Sequence, residues 1–155
     1  MDRDVQKEAR DAGIRAAREF LSQAYHLDQR ISSKIEQVES LNDLARKAGC
    51  AISGMPRNPD RAVSPMADAV ERIVDLQAEI NGDIRRMVEL KARIMAAIRE
   101  VEDPELQTLL EQRYLNFHTW GQIAEDMGYN ARHLYRLHDR ALLEIKIPEV
   151  VTGCQ

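Results

Sequence analysis

The sequence predicts an all-α protein: a long antiparallel helical hairpin followed by a small C-terminal helix-turn-helix domain. Three observations carry that prediction. Apolar residues recur every three or four positions across two stretches much longer than an ordinary helix. A single Gly- and Pro-rich segment, GCAISGMPRNPDRAVSP (Gly49 to Pro65), separates those stretches. The segment Thr119 to Ile145, TWGQIAEDMGYNARHLYRLHDRALLEI, reads as two short amphipathic helices around a Gly-Tyr-Asn turn.

The first helical block runs from about Asp4 to Ala48. It places Ala17, Leu21, Ala24, Asp28, Ile31, Ile35, Val38, Asn42 and Ala45 at alternating spacings of four and three, with Leu27, Leu41 and Leu44 widening the seam. Asp28 and Asn42 are polar interruptions of the kind that set register at some loss of stability. The second block, about Pro65 to Val101, offers Ile73, Leu76, Ile80, Ile84, Met87, Leu90, Ile94, Ile98 and Val101. Ser64 before Pro65 and Asp103 before Pro104 are start signals for the second and third helices. The third helix is expected over Pro104 to Phe117. The organisation is then a helical arm over residues 1–102 with its loop at 49–65, a helix-turn-helix over 103–147 and a tail over 148–155.

The two short helices carry the most specific signal. Thr119 followed three residues later by Gln122 is a capping box, in which each side chain satisfies an amide at the helix start. Trp120, Ile123, Ala124 and Met127 then share a face. Gly128 suits the left-handed stop of that helix, and Asn130 suits the cap of the next. Leu134, Leu137, Ala141, Leu142 and Ile145 form the expected buried stripe of the second helix. Arg132, His133, Tyr135, Arg136, Asp139, Arg140 and Leu143 are left outside or at its margins. A polar, Arg-rich outer face on such a helix is what phosphate and base-edge contacts in a DNA major groove require. A helical hairpin with a solvated face is the plainer alternative.

These residues resemble the fourth conserved region of bacterial primary sigma factors. The shared features are the Thr119 start, Ile123-Ala124, the Gly128 turn, the run Arg132 to Arg136, and Arg140-Ala141-Leu142. The preceding Leu109-Leu110-Glu111-Gln112-Arg113-Tyr114 is similar to the helix that leads into the motif in those proteins. The resemblance covers the last third of the chain. Over most of its length the chain is also similar to sigma-like late transcriptional regulators of phages and prophages, of the RinA/ArpU type. The resemblance implies double-stranded DNA as partner. Base reading falls to Arg132, His133, Tyr135 and Arg136, and the phosphate backbone to Thr119 and Arg140. RNA polymerase is a further partner it suggests. One position departs: Ala131 stands where sigma factors often carry Arg, which removes a basic contact and with it the basis for a sigma-like promoter preference.

Charge and composition narrow the classes further. The 155-residue chain has a formal net charge of -4, so it is not a basic wrapper of nucleic acid. Between Tyr129 and Lys146, however, Arg132, Arg136, Arg140 and Lys146 outnumber Asp139 and Glu144, which confines any electrostatic footprint to that end. Cys50 and Cys154 form no metal-ligand spacing, and His133 and His138 are five apart on a helix; neither a disulfide framework nor a metal or other cofactor is expected. The charged start MDRDVQKEAR is not a signal peptide, no apolar run matches a membrane span, and a reducing cytoplasm is the expected compartment.

No phosphate loop, nucleophile elbow or HExxH pattern is present, and Glu111/Arg113 or Glu125/Asp126 read as solvated helix charges rather than catalysts. Capture of unstacked bases needs aromatic surfaces in a basic groove. The first hundred residues contain only Phe20 and Tyr25 as aromatics, so a DNA-reading regulator is expected rather than a factor that melts promoters. The narrow stripes of the arm leave apolar surface for a second copy of the chain; an intramolecular bundle is the alternative. A DNA-packaging recognition subunit and a protein-interaction adaptor are the other function classes compatible with this layout.

Overall fold

In the computed structural model the described residues are 2–51 and 64–148. They fold into five α-helices with no strand among them: α1 (Asp2–Ala51), α2 (Ser64–Arg99), α3 (Pro104–Leu110), α4 (Trp120–Met127) and α5 (Ala131–Glu144). Helices α1 and α2 extend a few residues into both ends of the expected connector. Its remainder, with most of the tail and Cys154, lies outside the described residues, as does the side chain of Cys50. Among the described residues no helix is long and apolar enough to cross a membrane.

The chain divides into two compact units: the residues up to His26 together with those from Val88 onward, and Leu27–Met87. The division crosses both long helices.

The first unit holds most of the core. Ala17, Phe20, Leu21 and Ala24 come from α1, Ile94, Ala97 and Ile98 from α2, and Leu106, Leu109 and Leu110 from α3. Ile123 of α4 and Leu134, Leu137, Ala141 and Leu142 of α5 complete it, with α5 packed against both α3 and α4. The end of α2 is closed by Gln107, whose amide donates to the carbonyls of Val101 (2.6 Å) and Arg99 (3.2 Å), two of the acceptors a helix terminus leaves over. Asp103 accepts from the amide of Glu105 (2.9 Å) with Pro104 at the first helical position, as its sequence predicts.

The third helix departs from expectation. It does not continue to Phe117: α-helical geometry ends at Leu110, a π-helical turn occupies Glu111–Leu115, and Phe117 is left-handed with φ 58°. The amide of Asn116 reaches the carbonyl of Glu111, and that of His118 the carbonyl of Gln112. The result is a helix stop like the usual left-handed one but a residue wider, made with Phe where Gly or Asn is normal. The strain is offset locally. Lys91 donates to the Leu115 carbonyl (3.3 Å) and sits 5.0 Å from the centre of the Phe117 ring, and Tyr25 meets that ring edge-on at 5.7 Å.

In the second unit the seam is shallower and partly polar. Ile84, expected in the buried stripe, is 44% exposed, and the neighbouring Asp83 is fully buried in its place. Positions 83 and 84 flank the Ile80–Met87 line about equally on a 3.6-residue helix, so the spacing alone does not choose between them and the partner of Asp83 does. Asp83 accepts a hydrogen bond from Lys34 at 2.5 Å through Oδ2, its Oδ1 lies 2.9 Å from Arg86 as an ion pair, and Lys34 also lies 3.5 Å from Glu79. Lys34 above all holds the Asp83 carboxyl below the usual carboxylate range, against the opposing effect of burial. Ile35 and Leu44, also assigned to the seam or its flank, are exposed.

Candidate nucleic-acid interface

The two short helices form as their sequence dictates. The hydroxyl of Thr119 accepts from the Gln122 amide (3.2 Å), and the Gln122 side chain accepts from the Thr119 amide (3.0 Å), completing the capping box. Gly128 has φ 72°, and the amide of Tyr129 returns to the carbonyl of Ala124. Asn130 then caps α5 by accepting from the His133 amide at 2.8 Å. Every residue of the expected stripe on α5, including Ile145, is buried.

That burial fixes the outer face. Arg132, Arg136 and Arg140 follow one another at four-residue intervals, are all exposed, and enter no ion pair among the described residues. His133 is exposed beside them, with its ring 4.6 Å from that of Tyr129. The Tyr129 hydroxyl in turn donates to Glu105, tying the turn to α3. Tyr135 is only half available. It is 49% exposed, but its ring meets Trp120 at 5.1 Å, so part of its surface packs against α4. Thr119 is exposed, yet its oxygen already serves the cap; its hydroxyl proton is what remains to donate. Thus Arg132, His133, Arg136 and Arg140 cluster on one surface, whereas Thr119 and Tyr135 lie toward Trp120.

His138 has a role that the spacing of its sequence neighbours does not reveal. It is buried, and its Nε2 lies 2.6 Å from the Tyr114 hydroxyl, with Trp120 edge-on at 4.7 Å. Burial, reinforced by the charges of Arg18 and Arg113, pushes His138 down to about 4. The same burial pushes Tyr114 up to about 12, against the pull of Arg18 and Arg113. At neutral pH both groups are therefore uncharged, and they form a neutral hydrogen bond that fixes α5 to the segment before α4. A sequence signal for this pair exists only in hindsight: His138 falls between Leu134, Leu137, Ala141 and Leu142 on the apolar face.

Chemically, the face can donate guanidinium hydrogen bonds to phosphates and base edges from a rigid, capped helix. Comparison with protein-family models, with curated proteins and with solved structures finds no match to this chain.

Proposed function

We propose that this chain is a sequence-specific DNA-binding transcriptional regulator, built as an antiparallel helical hairpin that carries a C-terminal helix-turn-helix. The observation that carries the reading is the outer face of α5. Three exposed arginines stand in register on a helix whose start, turn and buried face all have the chemistry of a major-groove reader. A solvated hairpin needs neither the left-handed Gly128 joint nor three successive arginines that take no acidic partner among the described residues. The resemblance to sigma-like phage regulators agrees with this reading, and RNA polymerase is the second partner it brings. Two copies of the chain, joined through the long helices, would present two such faces to two half-sites.

The test is binding of the full chain to DNA flanking its own gene, followed by footprinting. Arg132→Ala with Arg136→Ala should weaken binding strongly and reduce the slope of log K against log salt by about 0.9 for each phosphate that the variant no longer neutralises. Unchanged binding by that double variant at moderate salt sinks the proposal. Sedimentation gives the number of copies; a large ring would favour a packaging subunit instead.

A further inference from the structure

Aromatic residues are few in this chain, and the first unit brings Tyr25 to Tyr114, Phe117, Trp120 and Tyr135 around a cavity of about 510 Å³. That volume lies within the range of about 300–1,000 Å³ typical of small-ligand sites. The cavity is also selective in charge. Arg18 and Arg113 line it, with the Ser22 hydroxyl beside them, and no carboxylate does, although acidic residues outnumber basic ones in the whole chain.

The cations are prepared for a ligand to different degrees. Arg113 is fixed: it donates to the His118 carbonyl at 3.0 Å and lies 4.7 Å from the centre of the Trp120 ring, leaving most of its N–H groups unused. Arg18 is exposed and can close on an anion. The rings are arranged edge to face, Trp120 with Tyr135 at 64° and Tyr25 with Phe117 at 70°. Trp120 carries Arg113 over its ring and leaves its edge to the cavity, whereas Tyr25 and Tyr135, 47% and 49% exposed, are the rings accessible to a further planar group. Phe117, the strained left-handed residue, forms part of this wall; strain retained in a wall of this kind is characteristic of binding sites. Aromatic stacking surfaces beside guanidinium groups are the combination that holds an unpaired base and its phosphate.

We propose that this cavity binds one unpaired nucleotide, its base stacked on Tyr25 and Tyr135 beside Trp120 and its phosphate held by Arg18 and Arg113. The nucleotide can be free or can be an unpaired position of a DNA strand; both present the same ring and anion. The site uses none of Arg132, Arg136 and Arg140, so it does not rest on the duplex-reading proposal. It shares Thr119 and Tyr135 with that surface and therefore lies beside it.

Trp120 is the only tryptophan, so its emission reports the cavity directly. The full chain is titrated with thymidine monophosphate and, separately, with a short oligo-deoxythymidylate. Saturable quenching is expected. Arg18→Gln and Tyr25→Ala, both at exposed positions and checked for an unchanged melting curve, should each weaken it about tenfold. Quenching by the monophosphate at comparable affinity identifies a free nucleotide; quenching by the strand alone identifies an unpaired DNA position. Arg132→Ala with Arg136→Ala should weaken duplex binding strongly and leave this quenching intact. The proposal falls if neither ligand changes the Trp120 emission or its indole NMR signal at millimolar concentration. It falls equally if Arg18→Gln and Tyr25→Ala bind like the parent, or if strand binding is lost only with Arg132 and Arg136. Absence of duplex binding by the parent chain would sink the regulator reading and leave the cavity test standing.

Discussion

The two units use the same residue pattern to different ends. Both contain stretches of α1 and α2 with apolar residues at heptad spacing. In the first unit α3, α4 and α5 add buried apolar residues to those of the stripes, and Leu21, Ile94, Ile98, Leu106 and Leu134 are fully buried. In the second unit, among the described residues, only Ala69 and Met87 are buried apolar groups, and the deepest side chain is the carboxylate of Asp83. A stripe becomes a core only when enough elements cover it; with fewer, most of its residues stay half-buried, and a charged pair can be accommodated. The polar devices differ correspondingly. The first unit buries a neutral pair, Tyr114 and His138, and the second a carboxylate, Asp83, met by a half-buried Lys34.

Core truncation should break this comparison most strongly. Leu134→Ala, in the first unit, is expected to cost about 4 kcal/mol in urea unfolding, because it removes a fully buried side chain from a rigid setting. Leu44→Ala, at a residue 58% exposed in the second unit, should stay within about 0.5 kcal/mol. Equal costs would mean that the second unit is covered in solution, as a second copy of the chain would do.

The ionic pair gives the next effect. Lys34→Met should destabilise by about 3 kcal/mol, because it strands a buried carboxylate with only Arg86 beside it. Lys34→Met combined with Asp83→Leu should recover most or all of that loss. If the single variant is neutral, Arg86 alone satisfies Asp83 and the pair sets nothing.

Acid should separate the two units by pH window. His138 is held neutral with a folded value of about 4, below the ordinary imidazole value, so between the two the unfolded chain binds the extra proton. Stability from this group is complete above about pH 6.5 and is lost as the pH falls toward 4, by about 3 kcal/mol in total. Lys34 holds Asp83 below the ordinary carboxylate range, so its contribution persists through that window and is lost only at lower pH. Urea midpoints followed by Trp120 emission should therefore fall between pH 6.5 and 4, and His138→Gln should flatten the dependence. A midpoint constant across that window would show that His138 is protonated in the folded chain.

The smallest effect tests the joint between α4 and α5. Gly128→Ala should cost about 1 kcal/mol through its left-handed backbone alone, since an added Cβ meets no atom within 4 Å. Asn130→Ala should cost a similar amount by leaving the His133 amide uncapped, measured by thermal melting. A neutral Gly128→Ala would mean that the turn relaxes, and with it the orientation of the arginine face.

Local chemistry was legible from residue to residue. The capping box at Thr119, the Gly128 stop, the Asn130 and Asp103 caps and the stripe of α5 are each decided within a few positions by side chains that serve nearby amides or repeat at helical spacing. The end of α3 was not legible, because Leu109 to Arg113 are good helix formers that run on past the point where α-helical geometry ends. It stops where Lys91, far along the chain, satisfies the Leu115 carbonyl and sits over Phe117. The exchange of Ile84 for Asp83 was equally hidden: a carboxylate enters a seam only if a lysine forty-nine residues away meets it. The cavity follows the same rule. Counting aromatics along the first hundred residues argues against a base-capturing surface, but folding brings Tyr25 to Phe117 and Arg18 to the segment around Tyr114.

By itself, then, the sequence determined the helices, their caps and the arginine-bearing face of α5, because all of these depend on neighbours within one or two turns. The tertiary structure alone decided which stripe residues become core, where the third helix breaks, and which aromatic and basic side chains share a cavity. Those outcomes depend on interactions between positions far apart in the chain, whose geometry no local pattern encodes.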